Sequence, residues 1–562
     1  MAADFDYIVV GSGPGGGTLA TELAMRGFET LLIEAGPDYF QANQSTPAFQ
    51  AKASEDPAIS FDFDVKHSDN NISYFYPRAG VLGGCAVHNA MIASYPNSRD
   101  FLLMQNVTGD SKWSESYMHN YFKQMEDNQY TVGLVGDHGY SGWFKTSFIN
   151  FLVQLKLEPA LFNYLAAVLG SMGYDVNGRD VFGLNSDKEA TVMLPQAVDR
   201  TDYTRTNFPK FIKNVANGFP LTVWTDTFVT KVLFNKNTAI GVEYKKGRYL
   251  YKASPLSSND RRKKAQTGTV FANRDIIISG GAFNTPQILM LSGIGDKNHL
   301  AKFNISVVAD VPGVGRSMMD RYEVSIVFKY QKVFKIFEGC KFTPTMDDPC
   351  YKEYIERRSG PYTSNGVISG QLKKSRPNLD EPDLFILNLL SDFHGYFRGY
   401  SNNLAKRTDS SSRIILKAHT DNANGRVKLL SANPFDVPDI NFQSFSDGDA
   451  DLNVMVNAIK SERSFLKRIT TSHVEIVPGE NIQTDAQLRD FVRNNAWGHH
   501  ACCTAKMGPS SDPLAVVDSK FRVRGVKNLR VVDMSVFPRI PGYFPTVYIH
   551  MMAMKAADDI AF

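Results

Sequence analysis

The chain has 562 residues, 43% hydrophobic and 21% charged, a globular composition that excludes a disordered or collagen-like polymer. Its 61 Lys+Arg against 58 Asp+Glu leave a formal charge of +3, which gives no polyelectrolyte signal for nucleic acid or an acidic membrane surface. Five cysteines cannot build a disulfide framework, no apolar run approaches the ~18 residues of a membrane span, and the length argues against one small domain.

The first legible element is Tyr7–Val10 (Y-I-V-V), a short apolar run of the kind a parallel sheet buries on both faces. It passes at once into Gly11-Ser12-Gly13-Pro14-Gly15-Gly16, a G-x-G-x-x-G. An amphipathic helix pattern, T-L-A-T-E-L-A-M-R, follows and is expected to stop at Gly27. A second apolar run, Thr30–Ile33, ends on Glu34. Strand, glycine loop, helix, strand and acid in this order predict a dinucleotide site. The glycines permit a tight turn and close approach to a pyrophosphate, the helix N-terminus supplies a positive dipole end, and the acid can bond ribose hydroxyls. Spacing alone leaves NAD and FAD both open. The N-terminus shows no charged n-region followed by an apolar h-region, so no export signal is expected, and localisation stays open. The Asn-x-Ser/Thr triplets at Asn43, Asn71, Asn106 and Asn304 are about what chance supplies.

Further along, Phe75 to Ile92 carries a second glycine-rich turn, V-L-G-G-C-A-V-H-N-A. Leu221 to Lys246 alternates like a hairpin turning at Asn235-Lys236-Asn237, and the basic run Arg261 to Lys264 reads as a solvated loop. Asp275 to Gly281 is another buried strand, leading into G-A-F-N-T-P-Q-I-L-M-L-S-G-I-G. Cys340 and Cys350 share one loop-like stretch and are placed to bridge in an exported protein. Asp392 to Tyr400, D-F-H-G-Y-F-R-G-Y, is rich in rings that suit either sheet packing or a substrate wall. Near the end come Trp497 to Gly508, W-G-H-H-A-C-C-T-A-K-M-G, then N-L-R-V-V-D-M-S-V-F-P and an apolar helix pattern from Thr546 to Ile560.

Two histidines and two cysteines within five residues invite a metal reading, but adjacent His499-His500 and Cys502-Cys503 fit one tetrahedral ion poorly. No metal site is expected: the sequence has no H-E-x-x-H and no C-x-x-C. It also lacks a G-x-S-x-G elbow and a Walker lysine, which sets hydrolases and NTPases aside. The cysteine pair is read as buried and structural.

Taken together, V-V-G-S-G-P-G-G, L-I-E-A-G, V-L-G-G-C-A-V-H-N-A, G-A-F-N-T-P-Q-I-L-M-L-S-G-I-G, V-P-G-V-G-R, V-V-D-M-S-V-F-P and K-A-A-D resemble the glucose-methanol-choline (GMC) oxidoreductases over essentially the whole chain. The resemblance implies FAD and an α/β fold: a doubly wound FAD-binding domain with a second α+β substrate domain on an antiparallel sheet. It divides the chain into residues 1–145, 219–320 and 495–562 for FAD, and 146–218 and 321–494 for substrate. It places Gly11, Gly13 and Gly16 at the pyrophosphate, Glu34 on the adenosine ribose, and Gly80, Gly83, Gly84 and Asn89 in a second flavin loop. Val229 is matched to an adenine contact, and Asp533 to the ribityl and pyrophosphate region in a returning strand. His88 matches the histidine of a G-G-C-S-S-H-N stretch that carries FAD covalently in part of the family, so covalent attachment is an open expectation.

Counting back from Met507-Gly508 puts the family's catalytic histidine on His500, with His499 as a hydrogen-bonded neighbour. An imidazole there would take an alcohol proton while hydride leaves carbon for flavin N5. The expected reaction is oxidation of an aryl, alkyl or sugar alcohol, with oxygen or another electron acceptor. The alternative is a lyase of the hydroxynitrile lyase kind, using His500 without net redox. One departure stands out. The family's second histidine or asparagine, fourteen residues before Asp558, falls on Phe544, next to Pro545 at the start of the last helix. His500 is therefore expected to act as the sole side-chain base, with Phe544 shaping an apolar pocket.

Overall fold

A computed structural model describes residues 4–69, 72–131, 137–148, 172–175, 189–467 and 473–561. Asn71 and parts of the expected segments, chiefly 149–171 and 176–188, lie outside the described residues.

Five parallel strands form the sheet that carries the glycine loop. β1 (Tyr7–Val10) lies between β2 (Thr30–Ile33) and β4 (Ile276–Ile278), flanked by β3 (Leu221–Trp224) beyond β2 and β5 (Leu529–Val531) beyond β4. Ile8 pairs with Leu31 on one side and Ile276 on the other, and all three are buried, as their apolar runs require. Strand order reverses across β1, so the crevice beyond the carboxyl ends of these strands is the natural ligand site of a doubly wound sheet.

α1 (Pro14–Met25) starts with proline in its first turn and ends ahead of Gly27, whose φ is +89°. It is not amphipathic as expected: nine of its twelve residues are buried, because α3 (Thr546–Ala561) covers the face that the pattern left polar. Thr18 is satisfied there, its Oγ1 2.7 Å from His550 Nδ1, and Arg26 reaches Asp558 at 2.5 Å.

The hairpin expectation is corrected at its start. Leu221–Trp224 pairs in parallel with β2, and only Thr227–Asn235 and Thr238–Lys246 form the hairpin, extended by Gln266–Phe271. Asp226, at φ +50°, turns the chain between the two sheets. The basic run is a short exposed helix, Asn259–Lys264, and not a loop. Ser258 Oγ accepts from the Arg261 N–H, and the cations gather at the end where the helix dipole is negative.

A seven-stranded sheet forms the second layer system, in the order His473–Val477, Tyr322–Tyr330, Ser410–Lys417, Leu384–Leu389, Val367–Lys373, Ala190–Met193 and Met172–Asp175. Helix Ala450–Leu466 is tied to it through Glu462, which accepts from Arg413 Nε at 2.5 Å and Lys373 Nζ at 2.6 Å. A four-stranded sheet pairs Ser60–Lys66 and Ser73–Ala79 with Asp439–Asn441 and Arg426–Lys428, joining chain regions far apart in sequence. Cys340 and Cys350 are bonded, as their spacing allowed, and so are the fully buried neighbours Cys502 and Cys503. Among the described residues no helix is long and apolar enough to cross a membrane.

Candidate active site

One cavity of about 290 Å³ runs from the glycine loop to the two histidines. At one end it is walled by Gly11, Gly13, Glu34, Val229 and Asp533; at the other by His88, Asn89, His499, His500, Phe544 and Pro545. Tyr396 and Tyr400, from the aromatic stretch, line it too.

The glycines divide into two kinds. A Cβ on Gly11 would lie 2.3 Å from Ser279 O, one on Gly15 2.4 Å from Val532 O, and one on Gly16 2.0 Å from Gly11 O. These absences let α1 press against β1, β4 and the chain after β5. A Cβ on Gly13 would meet no protein atom within 4 Å, and no side chain caps the helix N-terminus there. Glu34 Oε2 accepts from the Ser12 N–H at 3.0 Å and Ser12 Oγ at 2.6 Å, while Oε1 accepts from the Gly36 N–H. Burial raises the Glu34 pKa, and those donors oppose the shift.

Three expected contacts do not line the cavity: Gly16, Gly80 and Gly83. Gly80 packs under the Phe61 ring, and Gly83, at φ +93°, makes the turn that delivers Gly84 and the following residues. Asp533 is two residues beyond β5 and not in it. It caps the next turn through the Ser535 N–H at 2.8 Å and also accepts from the Gly281 N–H at 2.8 Å and Thr285 Oγ1 at 2.5 Å.

His88 ends the short turn after Gly84. It is buried, its Nε2 has no hydrogen-bond partner among the described residues, and burial, then Arg78, Arg205 and His499, lower its pKa to about 3. An orphaned nitrogen beside the cavity, an uncapped helix N-terminus and the open space at Gly13 together fit a dinucleotide with a flavin at the histidine end.

His500 is held on several sides. Its N–H donates to Asp320 Oδ1 at 2.9 Å, and Arg321 Nε donates to its Nδ1 at 2.9 Å. Arg321 is buried and gives three further N–H groups to the carbonyls of Ala418, Pro541 and Gly542. Burial, then His499, Arg321 and Arg78, push the His500 pKa well below its ordinary value. The His499 ring sits 3.8 Å from that of His500, between centroids, with its Nδ1 3.2 Å from buried Glu323 Oε1. Phe544 meets the His500 ring edge-on at 5.8 Å, and Tyr396 meets His499 at 5.3 Å.

Arg321 and His499 both adjoin His500. No spacing signal could have found Arg321 and Glu323, which lie at the start of a strand about 180 positions earlier in the chain and are brought to the histidines by backbone pairing of Glu323 with Trp497 and of Met319 with Cys502. Glu323, His499 and His500 bring three donor atoms within 4.8 Å, close enough for a cation, but Arg321 on His500 and Arg78 Nη2 on the His499 carbonyl (2.7 Å) already make that corner positive. Pro545 lies just outside α3, its carbonyl accepting the Ile549 N–H at 2.9 Å.

The family models described as GMC oxidoreductase match residues 5–323 and 421–553. The chain belongs to the GMC oxidoreductase family. It is 30% identical to an oxygen-dependent choline dehydrogenase of Staphylococcus aureus, across 99% of this chain and 93% of that one. Among solved structures it superposes on a formate oxidase variant of Aspergillus oryzae (TM-score 0.83, 21% identity, 99% and 98% covered). It also superposes on a pyridoxine 4-oxidase of Mesorbium loti (0.78, 19%, 99% of each chain) and a fungal aryl-alcohol oxidase (0.78, 19%, 100% and 99%). This GMC protein is an FAD-dependent oxidoreductase, and its fold is the mixed α/β fold of those structures.

Proposed function

We propose that the protein oxidises the CH–OH group of a neutral aryl or alkyl alcohol, with His500 and His499 receiving the hydroxyl. The observation that carries this reading is the single cavity in which the glycine loop and the histidine pair meet. When bound, FAD supplies the two-electron acceptor for the hydride. Gly11, Gly13, Glu34 and Asp533 would hold its adenosine and pyrophosphate, Val229 its adenine, and His88, Asn89 and Pro545 its flavin end. His88, neutral and unpartnered, keeps a lone pair free for a covalent bond to the flavin. Residues 1–145, 219–320 and 495–562 would form the FAD-binding part, which agrees with all five strands of the parallel sheet, and 146–218 with 321–494 the substrate part.

The substrate class follows from the walls. Phe544, Tyr396 and Tyr400 offer flat apolar faces beside the histidines, and the Arg78 guanidinium repels a cationic substrate. Choline, named for the Staphylococcus aureus relative, is therefore a poor substrate here.

The test is anaerobic mixing of the purified holoenzyme with benzyl alcohol, hexan-1-ol, glucose and choline while following flavin absorbance. Benzyl alcohol and hexan-1-ol should bleach it fastest, and His500→Ala should slow bleaching ~10²–10⁴-fold. A flavin that no alcohol bleaches, in a protein that cleaves a cyanohydrin, would replace this reading with the lyase.

A further inference from the structure

We infer that the two adjacent histidines divide the acid–base work: His500 is a hydrogen-bond donor to the alcohol oxygen, its tautomer fixed by Arg321, and His499, backed by Glu323, takes the proton. The inference rests on the alcohol-oxidation reading above and deepens it.

A guanidinium carries only donors, so the 2.9 Å contact from Arg321 Nε requires a lone pair on His500 Nδ1. A neutral imidazole has one N–H, and the hydrogen-bond network puts it on Nε2. Protonating His500 would set an N–H on Nδ1 against the Arg321 N–H, and burial, then His499 and the two arginines, disfavour the cation further. Arg321 is not free to turn away. Three of its other N–H groups are bound to backbone carbonyls, and although burial lowers its pKa to about 10 it stays cationic at neutral pH. Among the described residues the Nε2 of His500 makes no hydrogen bond. An Nε2–H can stabilise negative charge growing on an alcohol oxygen, but it has no lone pair with which to receive that oxygen's proton.

His499 has the opposite surroundings. A carboxylate oxygen, not a guanidinium, lies 3.2 Å from its Nδ1, out of line for a hydrogen bond but close enough to act by its charge. Glu323 is held there by paired backbone bonds to Trp497, Glu323 N–H to Trp497 O at 2.9 Å and Trp497 N–H to Glu323 O at 3.0 Å. The charge of the nearby carboxylate favours a proton on Nδ1, which leaves the lone pair on Nε2, and it stabilises an imidazolium formed there. In the reaction the O–H bond breaks and its proton goes to His499 Nε2. The carbon–hydrogen bond gives up its electron pair as hydride to the acceptor that FAD supplies, and the C=O bond forms. Arg321 and Glu323 are positioning residues in this scheme.

The experiment compares an amide with a methyl at each histidine, using FAD-loaded enzyme and benzyl alcohol. A glutamine amide donates a hydrogen bond but cannot take a proton. His500→Gln should reduce flavin within about tenfold of wild type, while His500→Ala falls ~10²–10⁴-fold. His499→Gln should be as slow as His499→Ala. A His500→Gln variant as slow as His500→Ala, with His499→Gln near wild type, overturns the assignment. A second readout needs no turnover: ¹⁵N-histidine spectra of the wild-type holoenzyme, with His500 identified by its loss in His500→Gln. They should show His500 protonated on Nε2 and bare on Nδ1, and Arg321→Met should blend the two shifts. The reverse pattern in wild type overturns the proposal even if Arg321→Met does not fold. A wild type that no alcohol bleaches overturns the function reading alone, and the nitrogen shifts then decide the tautomer.

Discussion

Burial keeps the His88 imidazole from becoming a cation. Its pKa falls to about 3, so near neutrality it is uncharged, and its orphaned Nε2 is the kind of nitrogen that forms a bond to carbon. Covalent flavin is the expected outcome. After acid precipitation the yellow colour should stay with the pellet of wild type and leave the pellet of His88→Ala; colour in the wild-type supernatant refutes the bond. Phe544 is a second residue whose chemistry is legible from its contacts. Its ring packs edge-on against both His500 and Phe385 at 5.8 and 5.5 Å, and so fills space without bonding to either. Phe544→Asn should leave FAD content unchanged and lower the preference for benzyl alcohol over a polar alcohol such as glycerol, read as the ratio of kcat/KM. Equal loss on both alcohols would mean that the ring serves the reaction and not the fit.

Among the elements, helix Ala450–Leu466 depends on a buried charge. Glu462 accepts from Arg413 and Lys373, and Arg413 Nη1 also donates to Asn388 Oδ1 at 2.7 Å on the sheet. Burial alone would raise the Glu462 pKa, but Arg413 and Lys373 more than offset it and the net shift is downward. A carboxyl depressed in the folded state stabilises the fold above its unfolded pKa, and that stability is lost as pH falls through the lower, folded value. Glu462→Gln should therefore melt below wild type at neutral pH, and the gap should narrow as pH drops beneath the ordinary carboxylate range. A gap independent of pH would show that packing, not charge, is at stake. Removing Arg413 instead leaves the carboxylate buried without its main partner and should cost about 3–5 kcal/mol in denaturant unfolding. At this scale the sequence is a partial guide. The apolar runs at Tyr7–Val10 and Ile276–Ile278 announce buried parallel strands because both faces are covered. The polarity of α1 misleads, because Thr18 meets α3 from the far end of the chain and Thr21 bonds back to the Thr18 carbonyl, and the Leu221 run conceals a change of sheet at Asp226.

For the whole molecule, the cavity is where distant segments meet: the glycine loop, the turn at residues 84–92, the chain at Ser279–Gly281, the histidine pair and the start of α3 all line it. The family motifs made the FAD end of this arrangement readable. The corner formed by Arg321, Glu323 and Arg78 was not, because each is an ordinary charged residue until the fold brings it beside His499 and His500. In the His88→Ala background, where FAD exchanges freely, a ligand touching so many segments must stabilise the whole, by about 2.7 kcal/mol when free FAD is a hundredfold above its Kd, and the variants below are made in that background. The glycines allow this linkage to be separated from packing. Gly13 has φ −61° and ψ −177°, a backbone open to any residue, and a Cβ there meets no protein atom. Gly13→Ala should leave the melting temperature of the FAD-free protein unchanged, weaken FAD binding, and shrink the rise in melting temperature on adding FAD. Gly15→Ala, whose Cβ would press within 2.4 Å of Val532 O, should lower the FAD-free melting temperature itself. Thermal scans of both variants with and without FAD decide the matter. If Gly13→Ala melts early without FAD, the open space beside it is structural and the pyrophosphate does not lie there.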